Sequence, residues 1–258
     1  MTHSLLKKTI FPILITNVIK RIIIIGATSG IGLEIARCYV RKGWQIGVAG
    51  RREEELIRLK ESAPNQIVYE TIDVTSQDAG EKLNSLIEKN GGMDIFLLSS
   101  GIGSQNTNLL PQIELDTVRT NAEGFTRMVT AAFNYFKELK KGHIAVISSI
   151  AGTKGLGAAP SYSATKRFQS HYIDALAQLA HIEKLPITFT DIRPGFVATS
   201  LLKDRGYPLL MQADKVAVQI VKAIDRNKRV AIIDYRYRTL VFFWRLIPRW
   251  IWERLSIK

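Results

Sequence analysis

A single cysteine, Cys38, leaves no partner for a disulfide among 258 residues, so a covalently stapled secreted scaffold is excluded and a reducing compartment is expected. Cys38 falls within a helical pattern and reads as a buried, inert thiol. Histidine is scarce as well: of the four in the chain, His171 and His181 stand ten apart in one helical stretch and lack the ligand spacing of a zinc site. No metal is expected. No apolar run reaches the roughly 18–20 residues of a spanning helix, because Lys20 and Arg21 interrupt the nearest candidate. Leu5 to Ile15 has the basic-then-apolar order of a signal peptide, but it lacks a small-residue cleavage site and runs almost directly into the first strand pattern. An irregular leader over residues 1–20 is therefore expected rather than export. Internal repeats and low-complexity linkers are missing too, and the length suits one large α/β domain.

Acid is lacking at both ends. Residues 1–21 hold four Lys/Arg and no acid, and residues 226–258 hold nine against Asp234 and Glu253, within a net charge of +13. The body between them is nearly balanced. A nucleic-acid groove would carry its charge along one face of the fold, so basic ends on a balanced body argue against nucleic acid. They suit an anionic membrane surface or plain solubility.

What the chain does have is alternation. Seven continuous apolar runs, Ile22–Ile25, Ile46–Ala49, Ile67–Ile72, Ile95–Leu98, Ile144–Ile147, Ile187–Ile192 and Val230–Ile233, are separated by helical patterns. The helical patterns cover 31–42, 53–61, 76–89, 111–139, 161–183 and 213–226. Apolar runs of this kind are strands buried on both faces, which predicts an α/β fold: a doubly wound parallel sheet of about seven strands with helices on both faces. The ligand crevice of such a sheet lies at the carboxyl ends of its strands.

The first run ends in Gly26-Ala-Thr28-Ser29-Gly30-Ile31-Gly32, a turn that brings backbone close to a pyrophosphate and points helix N-terminal amides at it. Thr28 and Ser29 add hydroxyl donors. After the second run, where a site for NAD would set an acid against the ribose 2′-hydroxyl, the chain reads Ala49-Gly50-Arg51-Arg52. Two guanidinium groups there match a 2′-phosphate and predict NADP(H); the alternative is a solvated loop paired with Glu53, Glu54 and Glu55.

Tyr162 and Lys166 stand four apart on a predicted helix and so share a face, with Ser149 thirteen residues before Tyr162. A neighbouring cation favours the phenolate and draws a tyrosine from its usual pKa of about 10 toward working range. Hydride arriving at a carbonyl carbon leaves an oxyanion that must be protonated, and this group can do so.

From about Arg21 to Ile233 the sequence resembles the short-chain dehydrogenase/reductase family. The resemblance rests on the Gly26 loop, Asp73-Val74 after the third run, Asn121, Ser149, Tyr162, Lys166 and Pro194-Gly195, which fall in family order. It implies a Rossmann-type domain, a nicotinamide cofactor and a tetrad of Asn121, Ser149, Tyr162 and Lys166. In that scheme Tyr162 is the acid/base, Lys166 holds the nicotinamide ribose and lowers the tyrosine pKa, Ser149 orients the carbonyl, and Asn121 supports a proton-relay water. It also implies that Asp73 meets the adenine edge, with Val74 beside it, and that Pro194 to Thr199, including Gly195 and Val197, brackets the nicotinamide. One departure is visible: Leu98-Ser99-Ser100-Gly101 stands where the family usually has Asn-Asn-Ala-Gly. Gly101 keeps the close backbone approach, but Ser99 lacks an amide's full set of donors and acceptors.

Residues 235–258 form a basic, aromatic-rich tail, predicted as an amphipathic helix interrupted near Pro248 with Arg238, Arg245, Arg249 and Glu253 toward one side. Trp244, Trp250 and Trp252 beside arginines suit a peripheral helix in a membrane headgroup region; packing over the substrate cleft or a subunit interface suits them equally. The catalytic domain is expected to span 21–234. The functional expectation is an NADP(H)-dependent oxidoreductase that reduces a carbonyl or oxidises the corresponding secondary alcohol. Its substrate would be hydrophobic or lipid-linked, framed by 151–160 and 201–211. A non-catalytic NADP(H) sensor or scaffold is the rival. The resemblance implies a homo-oligomer, a dimer or tetramer. The expected location is cytoplasmic, with the inner face of a membrane as the alternative.

Overall fold

The structure, a computed structural model, describes residues 19–202 and 206–255. The expected leader falls outside the described residues as far as residue 18. Strand β1 (Arg21–Ile25) shows why the apolar runs become a central sheet. Its Ile22 and Ile24 enter one core cluster and Ile23 and Ile25 the other, all four fully buried. A period of two puts alternate residues on opposite faces, so only a strand sandwiched between two helical layers can use four isoleucines in a row. Each such side chain contributes about 1.5–3 kcal/mol by leaving water.

Helix α1 (Gly30–Arg41) is followed by β2 (Gln45–Gly50), α2 (Glu53–Ser62), β3 (Ile67–Thr71), α3 (Ala79–Lys89) and β4 (Ile95–Leu98). Then come α4 (Pro111–Val118), a π-helical segment (Arg119–Gly124), α5 (Phe125–Leu139) and β5 (Gly142–Ile147). A short 3-10 turn (Ile150–Thr153), α6 (Pro160–Ile182), β6 (Ile187–Arg193), β7 (Val197–Ala198) and β8 (Met211–Gln212) lead to α7 (Ala213–Asp225), β9 (Val230–Ile232), α8 (Tyr235–Leu246) and α9 (Arg249–Trp252).

The main sheet has seven parallel strands in the order β3-β2-β1-β4-β5-β6-β9. Ile22 is flanked by Ile46 on one side and Ile95 on the other. Successive connections leave β1 in opposite directions, so a crevice opens between the carboxyl ends of β1 and β4. Helices α1, α2 and α7 cover one face through residues such as Ile35, Leu56 and Ile220, and α3, α5 and α6 cover the other through Leu86, Met128 and Ile173. The small β7–β8 pair, Val197 with Met211 and Ala198 with Gln212, folds the segment after β6 back over the crevice.

Two boundaries differ from the sequence-based expectation. The helix expected over 111–139 changes step at the π segment, which turns the Asn121 side chain onto Ile102 in the loop after β4. Helix α3 starts at Ala79 rather than Ser76, because Asp73 accepts from the main-chain N–H (2.9 Å) and hydroxyl (2.8 Å) of Thr75 and holds the chain in a turn. The tail breaks where expected, at Ile247-Pro248, into α8 and the single turn α9.

Candidate active site

A single cleft of about 1240 Å³ runs along the carboxyl ends of the strands, from Arg51 and Asp73 at one end to Leu240 and Trp244 at the other. At the glycine-turn end the wall is main chain. Gly26 has φ +93°, and a Cβ there would sit 2.6 Å from the Ser100 nitrogen, so no other residue fits this crossing of β1 and β4. Gly32 lets α1 press on that turn, since its Cβ would lie 2.1 Å from the Gly26 carbonyl oxygen. Thr28, Ser29, Gly30 and Ile31 line the cleft beside it.

Arg51 and Arg52 flank the same end. Arg52 donates to the Thr28 hydroxyl at 2.9 Å. Glu54 and Glu55 pair with Arg58 instead, and among the described residues neither Arg51 nor Arg52 makes an ion pair. The loop-pairing alternative is therefore not formed. Burial pushes the Asp73 carboxyl upward, but the two hydrogen bonds from Thr75 and the nearby Arg51 charge outweigh it and hold the group below its ordinary value. Val74 lines the cleft beside it, and Ile72 closes the floor.

The middle of the cleft holds the residues expected to do chemistry. Tyr162 and Lys166 project from the first turns of α6, with the Lys166 Nζ 5.7 Å from the centre of the phenol ring. Ser149 follows β5, accepts from the Ala151 N–H at 3.1 Å as the cap of the 3-10 turn, and donates to the Pro194 carbonyl at 3.4 Å. Burial drives the Tyr162 pKa above its usual value, with Ser149 pulling the other way. The expected lowering by Lys166 does not appear among the causes. The phenol is thus held protonated at neutral pH, the form that can donate to an oxyanion. Lys166 is buried, which lowers its pKa to about 8 against the opposing charge of Asp191, so it is mostly charged at neutral pH.

Asn121 is fully buried, and its amide is spent on structure: Oδ1 accepts from Ile102 N–H (2.9 Å) and Nδ2 donates to the Ile102 carbonyl (2.7 Å). It thereby fixes the loop containing Gly101, whose absent side chain leaves the space beside Asn121 Oδ1 and Lys166 Nζ open. Pro194, Gly195, Val197 and Thr199 line the opposite wall. All nineteen residue positions expected from sequence except Gly32 and Asn121 line this cleft, and those two buttress it from behind.

The tail end of the cleft was an open alternative in the sequence, and here the structure is definite about packing. Tyr237, Leu240 and Trp244 of α8 form part of the wall. The Tyr237 hydroxyl accepts from the Phe196 N–H (3.1 Å) and lies 3.2 Å from the carbonyls of Pro208 and Leu209, so it ties together the two segments that flank the cleft. Its ring lies on Gly195, where a Cβ would come within 2.2 Å. Lys154 donates to the Ile247 carbonyl (2.6 Å) and Trp252 Nε1 to the Gly155 carbonyl (2.7 Å), pinning the break in the tail to the loop after β5. The outward face keeps Phe242, Phe243, Leu246 and Trp250 exposed, with Arg238, Arg245 and Arg249 around them.

Sequence reasoning missed a buried polar knot under the site. Asp191, fully buried in β6, accepts from the Ser148 hydroxyl and from Arg193 Nε at 2.8 Å. The signal was present: an Asp and an Arg two apart in a central strand need partners on one face. Cys38 is buried with its thiol pKa raised by burial, as expected of an inert thiol. No cluster that could hold a metal ion occurs among the described residues. No helix among them is long and apolar enough to cross a membrane.

A doubly wound sheet with a glycine turn at its switch point and a Ser-Tyr-Lys group in the crevice defines a class, the nucleotide-dependent oxidoreductases of Rossmann type. The short chain dehydrogenase family matches residues 20–207, and the chain belongs to this short-chain dehydrogenase/reductase family of oxidoreductases. An uncharacterized oxidoreductase of Myxococcus xanthus (strain DK1622) is 31% identical over 213 residues, covering 80% of this chain and 83% of its own length. Dehydrogenase/reductase SDR family member 7B of Xenopus tropicalis is 28% identical over 253 residues, covering 88% of this chain and 81% of its own. Among solved structures, ElxO with NADP bound superposes with a TM-score of 0.75 at 21% identity, covering 85% of this chain and 99% of that one. The closed form of serine dehydrogenase complexed with NADP+ gives 0.75 at 24%, covering 83% and 94%.

Proposed function

We propose that the protein is an NADP(H)-dependent reductase that converts a carbonyl of a hydrophobic or lipid-linked substrate to the alcohol, or runs the reverse oxidation. The observation that carries this reading is the meeting of Ser149, Tyr162 and Lys166 midway along one cleft whose two ends differ in chemistry. Bound NADPH would supply the hydride. Gly26, Thr28, Ser29, Gly30, Ile31 and Gly32 would form its pyrophosphate cradle, at the N-terminus of α1 where main-chain amides favour an anion. Arg51 and Arg52 would meet the 2′-phosphate, and Asp73 and Val74 the adenine. That two of the solved neighbours, ElxO and the serine dehydrogenase, hold NADP favours the same choice. Gly101 and the stretch Pro194, Gly195, Val197 and Thr199 would enclose the nicotinamide half.

Ser149 would orient the substrate carbonyl and Tyr162 Oη would give it a proton, which suits a phenol held protonated. Lys166 would contact the ribose with its remaining N–H. The apolar end formed by Leu156, Phe196, Leu201, Leu209, Leu240 and Trp244 favours a substrate with an aliphatic or otherwise greasy body. A turnover panel of hydrophobic and glycosyl ketones with NADPH tests the reading. Oxidation of NADPH with at least one of them is expected; tight cofactor binding with no turnover on any would replace it with the sensor.

The outer face of the tail supports one more element, peripheral contact with an anionic membrane. Phe242 and Trp250 are 61% and 63% exposed, which is rare for such side chains without a partner, and the surrounding arginines match anionic headgroups. Each basic residue near such a surface is worth on the order of 1 kcal/mol, so binding should fall as salt rises. Because Tyr237 and Trp244 belong to the cleft, the test is not truncation but Phe242→Ser with Trp250→Ser. Co-sedimentation with phosphatidylserine vesicles at low salt should be lost while NADPH binding is kept. Failure of the unmutated protein to sediment even at low salt removes the membrane.

A further inference from the structure

Gln169 is the one buried amide that touches the proposed chemistry without appearing in the expected tetrad. It stands three residues after Lys166 on α6, so the two share a face, and it is 1% exposed. Both ends of its amide are committed. Oε1 accepts from Lys166 Nζ at 3.1 Å, and Nε2 donates to the main-chain carbonyl of Asn121 at 2.9 Å. That carbonyl lies in the π segment, where the helical ladder changes step and main-chain groups are free to bond sideways. An ammonium has three donors. Two are taken on the buried side, one by Gln169 and one by the Ile147 carbonyl at 3.0 Å. The third is left for the cleft, on the side of Gly101 and Tyr162.

We propose that Gln169 is a positioning residue: its amide bridges Lys166 to the Asn121 carbonyl of the π segment and aims the ammonium's last N–H at the cofactor ribose. The inference rests on the reading of the cleft as a hydride-transfer site. The bridge also bears on charge, since an acceptor on a buried ammonium favours its protonated form. The charged or titratable groups that face Lys166 are Asp191 from β6, itself held by Ser148 and Arg193, and Tyr162 from α6. β5 presents only the Ile147 carbonyl, the loop after β4 presents Gly101, and the π segment presents neutral Asn121.

The sign follows from those groups. Lys166, with its pKa lowered to about 8 by burial, loses its charge as pH rises through that value, and affinity for an anionic cofactor should fall with it. The experiment is NADPH affinity by fluorescence titration across neutral to alkaline pH, for the unmutated protein, Gln169→Met and Gln169→Glu. The methionine keeps length and loses both hydrogen bonds, so the midpoint should move down by about one pH unit. The glutamate restores an acceptor with a charge, so the midpoint should move above that of the unmutated protein. A merely structural amide would lower thermal stability in both variants with the midpoint unmoved, and that result overturns the proposal.

If neither variant folds, a crystal structure of the unmutated protein with NADPH decides. Gln169 bonded to Lys166 sustains the bridge; a water joining Lys166 Nζ to the Asn121 carbonyl, with the amide swung away, overturns it. NADPH that does not bind at any pH defeats the hydride-transfer reading itself, and this one with it. Binding with an unmoved midpoint defeats only the role of Gln169.

Discussion

At the glycine-turn end of the cleft the wall is main chain: Gly26, Gly30 and Gly32 lie within one turn, which packs on Ser100 after β4, and Arg52 donates to Thr28 beside it. At the tail end the wall is side chain, assembled from places far apart: Leu156 after β5, Phe196 after β6, Leu209 before β8, and Leu240 and Trp244 on α8. A backbone cradle has few sequences that can make it, because a Cβ at Gly26 or Gly32 has nowhere to go. An apolar side-chain wall can be made by many, since cores tolerate exchange among hydrophobic residues of similar volume. On the proposed reading, the first end would be fixed to one kind of ligand and the second free to vary with substrate.

Three variants would break or sharpen that contrast. Tyr162→Phe, at the boundary between the two ends, should lower turnover by about 10²- to 10⁴-fold and leave NADPH affinity close to unchanged, since only the proton donor is lost. Near-normal turnover would remove Tyr162 from the chemistry. At the glycine-turn end, Arg51→Ala with Arg52→Ala should weaken NADPH by about ten- to hundredfold per lost charge-assisted partner and NADH far less. Equal losses for the two nucleotides would reduce these arginines to solvated loop. At the tail end, Trp244→Ala should raise KM for a hydrophobic ketone by about tenfold and leave both nucleotide affinities alone, one lost aromatic contact being worth about 1–2 kcal/mol. A loss of NADPH affinity in that variant would mean the two ends are mechanically one.

The same contrast explains what could be read from the chain before folding. Seven strands were legible because Ile22–Ile25 and its counterparts are too short and too uniformly apolar for anything but a doubly covered sheet. The glycine turn and the Tyr162, Lys166 pair were legible because their spacing is itself the geometry. The π step at Arg119–Gly124 was not, since six helical residues carry no mark of a change in hydrogen-bond register. Nor were β7 and β8, two residues each, whose pairing across the intervening loop is decided by tertiary contact alone. Gln169 looked like any polar residue on a long helix, and its burial comes from the π segment that packs on α6. The tail was legible as aromatic and basic, but its split into a face on the cleft and a face outward depends on where Gly195 and Gly155 offer it a seat.

Tyr237 gives that seat a consequence in time. Its hydroxyl binds Phe196, Pro208 and Leu209, and its ring covers Gly195, so a residue near the end of the chain closes contacts with segments roughly thirty to forty positions earlier. During synthesis, at about 5–20 residues per second, the strands through β6 emerge and can pair before α8 has left the ribosome. The apolar wall still lacks its last side at that stage. On the proposed reading, a nascent chain stalled before Tyr235 would lack the wall that encloses a substrate, so the substrate end of the cleft would form later than the sheet.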